Sequence, residues 1–204
     1  MALNIIRFPV EDGMADEISK KLQDDCVITA TDSVQPQKPA VGNYKTKFLS
    51  CLILQNNDNN ALQKARKQSD FIAVRGSSPE MCAWAANSKG VDLLLQPFSS
   101  EKCFLDMQTA NVLLQNNVFV CVLFSDFLEA DGFRLSQLIK NAAMCVKLCE
   151  SAGVKMLFVS GARNESQMRA GKDLASFAVL LGLKKEAALK SARANGKDFL
   201  ERLK

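Results

Sequence analysis

Residues 154–172, VKMLFVSGARNESQMRAGK, decide the fold, and they run directly into DLASFAVLLG at residues 173–182. The stretch begins with a nearly continuous apolar run, which is the pattern of a strand buried on both faces of a sheet. A polar loop carrying Arg163, Arg169 and Lys172 follows, and residues 173–182 then show the apolar spacing of a helix. Basic side chains at the end of a buried strand are typical of ligand sites in α/β proteins.

The same alternation of strand-like and helix-like segments extends over the whole chain. Runs rich in apolar or β-branched residues occur at residues 3–8, 26–31, 48–54, 71–74, 91–95, 118–124 and 154–159. Strands joined by helical crossovers must be parallel. About seven such units predict an α/β fold of the TIM-barrel type, a (β/α) barrel of mostly parallel strands, in a single domain over residues 1–204. An open, doubly wound sheet is the alternative.

Local signals fix several helix ends. Ser78 predicts an N-cap with Pro79 at the first helical position, and residues 135–152 give the clearest helical stripe, which Gly153 ends. Residues 32–47 have two prolines and no periodicity, and they predict a long surface loop. Residues 184–204 predict two short basic helices that either cap the end of the barrel or contact a partner.

Composition excludes some chemistry. The 204 residues include 26 Lys and Arg, 22 Asp and Glu and no His, so no mechanism can use a histidine base or a histidine metal ligand. The net charge of +4 permits binding to a polyanion without demanding it. Seven scattered cysteines without a CxxC pair indicate reduced core thiols. No signal peptide or membrane-length apolar run is visible, so we expect a cytoplasmic chain. Because the sequence has no His and no CxxC pair, we expect neither a bound metal nor another cofactor.

No nucleotide-binding, metalloprotease or hydrolase motif occurs in the sequence. Asp32 and Asp126 lie at predicted strand ends and are candidate general acids, although a solvated loop is the more frequent role of such residues. The cations of residues 161–172 are a better signal. Further cations lie near predicted strand ends or helix starts, namely Arg7, Lys45, Lys47, Arg75, Lys102 and Arg134. Cations spread over several loops suit binding along the backbone of a polyanion. The chain has one Tyr and one Trp, and its twelve Phe fall mostly within apolar runs, so stacking of nucleic-acid bases on aromatic side chains is not favoured.

Several motifs resemble those of the ribonuclease P protein component 3 family. The most specific are Lys89-Gly90-Val91-Asp92, Ala110-Asn111-Val112-Leu113, Val159-Ser160-Gly161-Ala162 and the run from Arg169 to Leu174. The resemblance is strongest from about Phe71 to the end of the chain. It is weak before Tyr44, where the first strand of the family survives only as LNII at residues 3–6.

The resemblance implies a barrel related to the polymerase-and-histidinol-phosphatase phosphoesterases but without their metal-binding histidines. It also implies that the chain acts together with a catalytic RNA, the RNase P RNA, which removes the 5′ leader from precursor tRNA. In this family the RNA and its magnesium break the bond, so the chain would be a non-catalytic component of an endoribonuclease. The implied protein partner is a small subunit with a ferredoxin-like fold.

One departure from the family pattern lies in the basic loop. The family usually has Pro and Arg where this chain has Gly171 and Lys172, so the charge is kept but the bidentate fork of arginine is lost. We expect RNA contacts from Arg163, Arg169 and Lys172, with Arg134 and Arg75 as further candidates, and no catalytic residue. The rival hypothesis is a small metal-independent enzyme that holds a phosphorylated metabolite at residues 161–172. It would need a convergent acid/base pair, for which Asp126 is the one obvious nearby candidate.

Overall fold

The computed structural model describes residues 3–7, 17, 26–31 and 47–201. In this part of the chain, parallel strands pair in sequence order, each with its chain neighbours. The strands are β1 (Leu3–Ile6), β2 (Cys26–Thr31), β3 (Lys47–Leu54), β4 (Phe71–Arg75), β5 (Leu93–Leu95), β6 (Phe119–Leu123) and β7 (Met156–Val159).

Side chains bring the first strand against the last. The side-chain oxygen of buried Asn4 accepts hydrogen bonds from the backbone N–H of Ser160 (2.9 Å) and from its hydroxyl (2.6 Å). Beyond them, Ile6 and Ala162 form an isolated parallel bridge, and the Arg7 N–H donates to the Ala162 carbonyl at 2.6 Å. The sheet is therefore a nearly closed TIM-barrel-like structure. The barrel prediction is confirmed, and the open-sheet alternative is wrong.

Helices cover the outside of the barrel in the described ranges. They are α1 (Asn59–Gln68), α2 (Pro79–Asn87), α3 (Met107–Gln115), α4 (Ser125–Leu128), α5 (Gly132–Ala152), α6 (Gly171–Leu180), α7 (Lys185–Leu189) and α8 (Asn195–Leu200). The predicted caps are present: the Ser78 hydroxyl accepts from the Met81 N–H, and Gly153 ends α5 with φ of 78°. No helix among the described residues has the length and apolarity needed to span a membrane.

Two predicted segments differ from the structure. Residue 47 begins β3 and so does not belong to the predicted loop, while residues 32–46 lie outside the described part of the chain. The predicted pair of carboxy-terminal helices is one continuous helical run, because a π-helical turn, Lys190–Ala194, joins α7 to α8 without a break. The pattern alone could not distinguish this wider turn from an interruption.

The core has two parts that follow from the alternation of side chains along each strand. Inward-facing residues such as Ile28, Cys51, Ala73 and Leu157 fill the barrel, and a larger apolar layer lies between the strands and the helices. Phe199 of α8 belongs to the inner part. Its ring stacks on Phe71 at 4.4 Å and meets Phe119 edge-on at 5.3 Å, so the carboxy-terminal run caps the barrel, as one of the two alternatives predicted.

Candidate anion-binding site at the barrel mouth

The inward alternation of the strands continues into polar residues at the carboxyl ends of the strands. Arg7 follows inward-facing Ile5 at a spacing of two, and Arg75 follows Ala73 in the same way. After β7 the chain turns at Gly161 and presents Arg163. These three arginines therefore converge at one end of the barrel, which we call the mouth.

A cavity of about 230 Å³ lies at the mouth, lined by Arg7, Ile53, Gln55, Arg75 and Arg163. Three of the five described residues that line it carry guanidinium groups, and the Gln55 amide adds a further donor. None of these lining residues is acidic. Among the described residues, the cavity walls thus favour an anion.

Asp126 organises two of the arginines. Its Oδ2 atom accepts from Arg75 Nη2 at 2.7 Å and from Gln96 Nε2 at 3.0 Å, and its Oδ1 atom lies 3.8 Å from Arg163 Nη2. Glu129 adds a second, more exposed pair with Arg163 at 2.9 Å. These contacts cross several barrel loops and fix the arginines in place.

The charge state of Asp126 follows from two opposing effects. Burial by itself raises the pKa of this carboxyl, but the positive charge of Arg75, the hydrogen bond from Gln96 and the charge of Arg7 outweigh it, and the pKa is lower than usual. Asp126 is therefore ionised at neutral pH. A carboxylate in this state cannot donate a proton as the rival enzyme hypothesis requires. Asp32, the other candidate acid, lies outside the described residues.

The backbone around the mouth is unusual at two positions. Gln96 has a φ of 47° although it is not glycine, and its side chain contacts both Asp126 and the Leu123 N–H. Gly161 has a φ of 59°, and a Cβ there would lie 2.8 Å from Leu123 Cβ and 2.9 Å from Ser125 Oγ. Only glycine fits at this turn, which directs the basic loop away from β7.

Arg169 has a role within the loop itself. Its Nη1 atom donates to the carbonyls of Ser166 and Met168, each at 2.8 Å, and its guanidinium lies 5.6 Å from the centre of the Phe124 ring. The side chain of Asn4 also donates to the Arg169 carbonyl at 3.2 Å. Arg169 thus holds the loop against the seam between β1 and β7.

The structure separates the other two predicted cations from the mouth cavity. Lys172 is exposed and lines a groove of about 450 Å³ between α6 and α7, together with Lys185 and Leu189. Arg134 is exposed in the first turn of α5. Of the five predicted site residues, Arg75 and Arg163 come together at the mouth, while Arg134, Arg169 and Lys172 lie around it at other places.

Sequence reasoning named Arg7 only as one cation among several and missed Gln96. The signal for Arg7 was available, because its spacing from Ile5 places it on the inward face of β1. Gln96 and the Arg75–Asp126 pair had no such signal, since their partners lie 30 and 51 residues apart in sequence.

The mouth does not fit a metal ion. Within the described residues, no three His, Cys, Asp or Glu side chains cluster as metal ligands, and Asp126 is surrounded by cations.

Cys145 and Cys149 are buried in α5. A hydrogen bond with Cys145 lowers the pKa of the Cys103 thiol to about 7 and raises that of Cys145.

Several residues of the recognised motifs have structural roles. Asp92 accepts from Arg66 Nη1 at 2.7 Å and from the Ile72 N–H at 2.9 Å, which ties α1 to the sheet. Ala110 and Leu113 are fully buried in α3. Ser160 closes the barrel through Asn4.

A nearly closed barrel of parallel strands with a cationic mouth places the chain in the class of TIM-barrel-like α/β proteins. A sequence model of one family in this class, RNase P subunit p30, matches residues 18–202. The chain belongs to this family. The matched region begins well before Phe71, so it includes much of the part before Tyr44 where the motif resemblance is weak.

Curated relatives carry the name ribonuclease P protein component 3. One from Methanosarcina barkeri is 23% identical over 160 residues, which cover 77% of this chain and 66% of the relative. Another, from Methanococcoides burtonii, is 25% identical over 126 residues, covering 62% of this chain and 52% of the relative. The chain thus matches between about half and two thirds of the length of these relatives.

Solved structures share the fold. A chain in the cryo-EM structure of archaeal ribonuclease P with mature tRNA superposes with a TM-score of 0.77 at 17% identity, covering 98% of this chain and 89% of that one. An amidohydrolase and a prolidase complexed with N-methylphosphonate-L-proline each superpose with a TM-score of 0.62, at 8% and 9% identity, covering 98% of this chain and 74% of each of theirs. At these identities the similarity establishes the architecture alone.

Proposed function

We propose that the chain is a non-catalytic protein subunit of RNase P, which supports the catalytic RNA in removing the 5′ leader of precursor tRNA. Membership of the p30 family carries this proposal. In the proposed role, cations on the chain neutralise phosphates where RNA strands converge, and this lowers the magnesium needed for the active RNA fold.

The arrangement of charges at the mouth supports this role over the rival enzyme. Arg7, Arg75 and Arg163 present positive charge at an open end of the barrel, whereas Asp126 is ionised and engaged by Arg75. An enzyme acting on a phosphorylated metabolite needs a proton donor or acceptor near the bound group. Asp126 is committed to positioning the arginines instead.

The proposed RNA contacts comprise two groups of cations. Arg75 and Arg163 lie at the mouth, and Arg169, Lys172 and Arg134 lie on the loop and helices beside it. Lys172 and Arg134 are exposed, and the Arg163 side chain is 47% exposed, so an RNA backbone can reach them. Cations at separate positions suit an extended chain of phosphates better than a single small ligand.

The proposed protein partner is a small subunit with a ferredoxin-like fold. Exposed apolar residues on neighbouring helices support a protein contact: Leu180 is 65% exposed on α6 and Leu189 is 40% exposed on α7. Co-purification at equal stoichiometry is the expected result, and no association at micromolar concentrations would contradict it.

We also propose that the chain is cytoplasmic, or nuclear and nucleolar if its source is eukaryotic. The seven cysteines support a reducing compartment, since all are free thiols and six are buried. Fractionation of cells of the source organism tests this location, and recovery of the chain with secreted proteins would contradict it.

Direct binding to the RNA tests the proposed function. RNase P RNA from the source organism is titrated with the purified chain, with and without the small subunit, at several salt concentrations. We expect saturable binding that weakens as salt rises, because counterions are released when phosphates are neutralised. Binding that is no tighter than to an unrelated structured RNA of equal length would contradict the proposal.

A further inference from the structure

We propose that the mouth cavity is a binding pocket for a terminal phosphate group, that is, a phosphate monoester. This pocket shares Arg75 and Arg163 with the RNA contacts proposed above, but its occupant is a single terminal group, and the pocket does not require that the chain bind RNase P RNA. The ligand is a phosphate monoester of a small molecule or the phosphorylated end of a nucleic acid.

The first argument is the excess of positive charge at the cavity. Among the described residues, three arginines line it, and the largely buried carboxylate of Asp126 pairs with one of them, Arg75. Glu129 pairs with Arg163 at a more exposed position, with 38% of its side chain accessible. Like charges held this close repel one another in a partly desolvated site. A bound anion relieves that repulsion.

The second argument is the donor geometry. A guanidinium has five N–H donors, and the pair with Asp126 engages Nη2 of Arg75, so this side chain keeps donors for a second anion. Gln96 donates a hydrogen bond to Asp126, and Asp126 in turn holds Arg75 in a fixed orientation. The Arg75 guanidinium is thus already oriented in the free chain, so this side chain loses little conformational entropy when a ligand binds.

The third argument identifies the class of anion. A phosphate monoester has three unesterified oxygens and carries a charge close to −2 at neutral pH. Three forks, those of Arg7, Arg75 and Arg163, can each meet one of these oxygens. A carboxylate has two oxygens, and a phosphodiester has two free oxygens, one charge and substituents on both sides. Of these three anions, the phosphate monoester can therefore form the largest number of hydrogen bonds with the arginines of the cavity.

The size of the cavity agrees with a terminal group. At about 230 Å³ it is smaller than the roughly 300–1,000 Å³ of pockets that enclose whole drug-sized ligands. A phosphate with the first atoms of its substituent fits, and the rest of the ligand would extend out of the mouth. The apolar side chain of Ile53 lies among the lining residues, on the side of β3.

Calorimetric titration of the full chain at constant ionic strength tests the pocket. Methyl phosphate and dimethyl phosphate are compared, since they differ in the number of free oxygens. We expect one methyl phosphate per chain with a Kd of about 1 mM or tighter, and at least tenfold weaker binding of dimethyl phosphate. No saturation by methyl phosphate up to about 20 mM, or equal binding of both compounds, would overturn the proposal.

Variants connect the binding to the cavity. Arg163→Gln should weaken methyl phosphate at least tenfold, and Arg163→Lys should weaken it less, because the charge is kept and the fork is lost. Arg134→Gln is the matched control: it removes the same charge at an exposed position outside the cavity lining and should leave the Kd unchanged. Equal affinity of wild type and Arg163→Gln, or an equal loss in the control, contradicts the assignment. If thermal melting shows Arg163→Gln unfolded, Arg163→Lys decides.

Two further arms distinguish the source of the phosphate. Ribose 5-phosphate is compared with short RNAs that carry either a 5′-phosphate or a 5′-hydroxyl. Preference for the phosphorylated RNA over both the hydroxyl form and ribose 5-phosphate supports a nucleic-acid end, and equal binding of ribose 5-phosphate supports a small molecule. Loss of methyl phosphate binding with intact binding to RNase P RNA would contradict this pocket alone and leave the proposed function standing.

Discussion

At the scale of single residues, Asp126 is the side chain that positions its neighbours at the mouth. It contacts Arg75 and Gln96 directly and lies near Arg163, so one buried carboxylate fixes three side chains from different loops. Because its pKa is lowered in the folded chain, its ionised form stabilises the fold. The stabilisation is present above the unfolded pKa of about 4 and is lost as the pH falls through the folded value.

Asp126→Asn is predicted to destabilise the chain by roughly 1–3 kcal/mol at pH 7, because Arg75 loses its buried partner. The difference from wild type should begin to shrink below about pH 4, where the unfolded wild-type chain takes up a proton at Asp126, and should go on shrinking as the pH falls towards the lower folded pKa. Chemical denaturation of both proteins between pH 3 and pH 7 measures this. A stability difference that does not change over this range would contradict the role given to the charge.

Gly161→Ala is predicted to destabilise the chain by about 2 kcal/mol or more, since it adds a steric contact with Leu123 to an unfavourable φ. Gly153→Ala is the control, because Gly153 also has a positive φ but has open space around its Cα. Thermal melting of both variants should show the larger loss for Gly161. Similar losses would mean that backbone strain alone matters and that the close approach does not.

Residue identities in the core were easier to predict than contacts at the mouth. The inward apolar positions follow from period-two alternation within each strand. The Asp126–Arg75 pair and the internal contacts of Arg169 depend on distant segments or on the detailed path of a loop. No local pattern encodes these, so the sequence indicated a basic region without indicating which cations meet.

At the scale of elements, the strands were predicted closely because most are continuous apolar runs with few alternatives. The prediction for β2 has the same ends as the structure, and the others differ by one or two residues at an end. The carboxy-terminal run was predicted less well, because its π-helical turn has no separate sequence signal.

Phe199→Ala is predicted to cost about 3–5 kcal/mol of unfolding free energy, because it removes a fully buried ring that packs on Phe71 and Phe119 inside the barrel. The control is Leu180→Ala on α6, where the side chain is 65% exposed and a change within about 0.5 kcal/mol is expected. Chemical denaturation compares them. A loss below about 1 kcal/mol for Phe199→Ala would show that the run does not cap the barrel as described.

The basic loop is predicted to contribute to RNA affinity. Replacing Arg163, Arg169 and Lys172 together by Gln should weaken binding to RNase P RNA and reduce the slope of log affinity against log salt by roughly 0.7–0.9 for each lost phosphate contact. Lys172→Arg is the charge-preserving control and should be neutral or slightly favourable. An unchanged slope in a triple variant with a normal thermal melt would exclude the loop from RNA binding.

At the scale of the whole molecule, the barrel brings Arg7, Arg75 and Arg163 together at its mouth, and the described interior is mostly apolar. The architecture itself followed from the strand–helix rhythm of the sequence. The contacts that close the barrel between β1 and β7 could not be predicted in this way, because they join the side chains of Asn4 and Ser160, which are 156 residues apart. The TIM-barrel-like fold thus supports a surface whose proposed role is electrostatic.

Cleavage of precursor tRNA tests the proposed role as an RNase P subunit most directly. The leader is removed by RNase P RNA alone, by the RNA with this chain and the small subunit, and by the chain alone, over a range of magnesium concentrations. We predict that the proteins lower the magnesium required and raise the rate at limiting magnesium, and that the chain alone cleaves nothing. Cleavage by the chain without RNA, or a rate and magnesium requirement unchanged by its addition, would contradict the account.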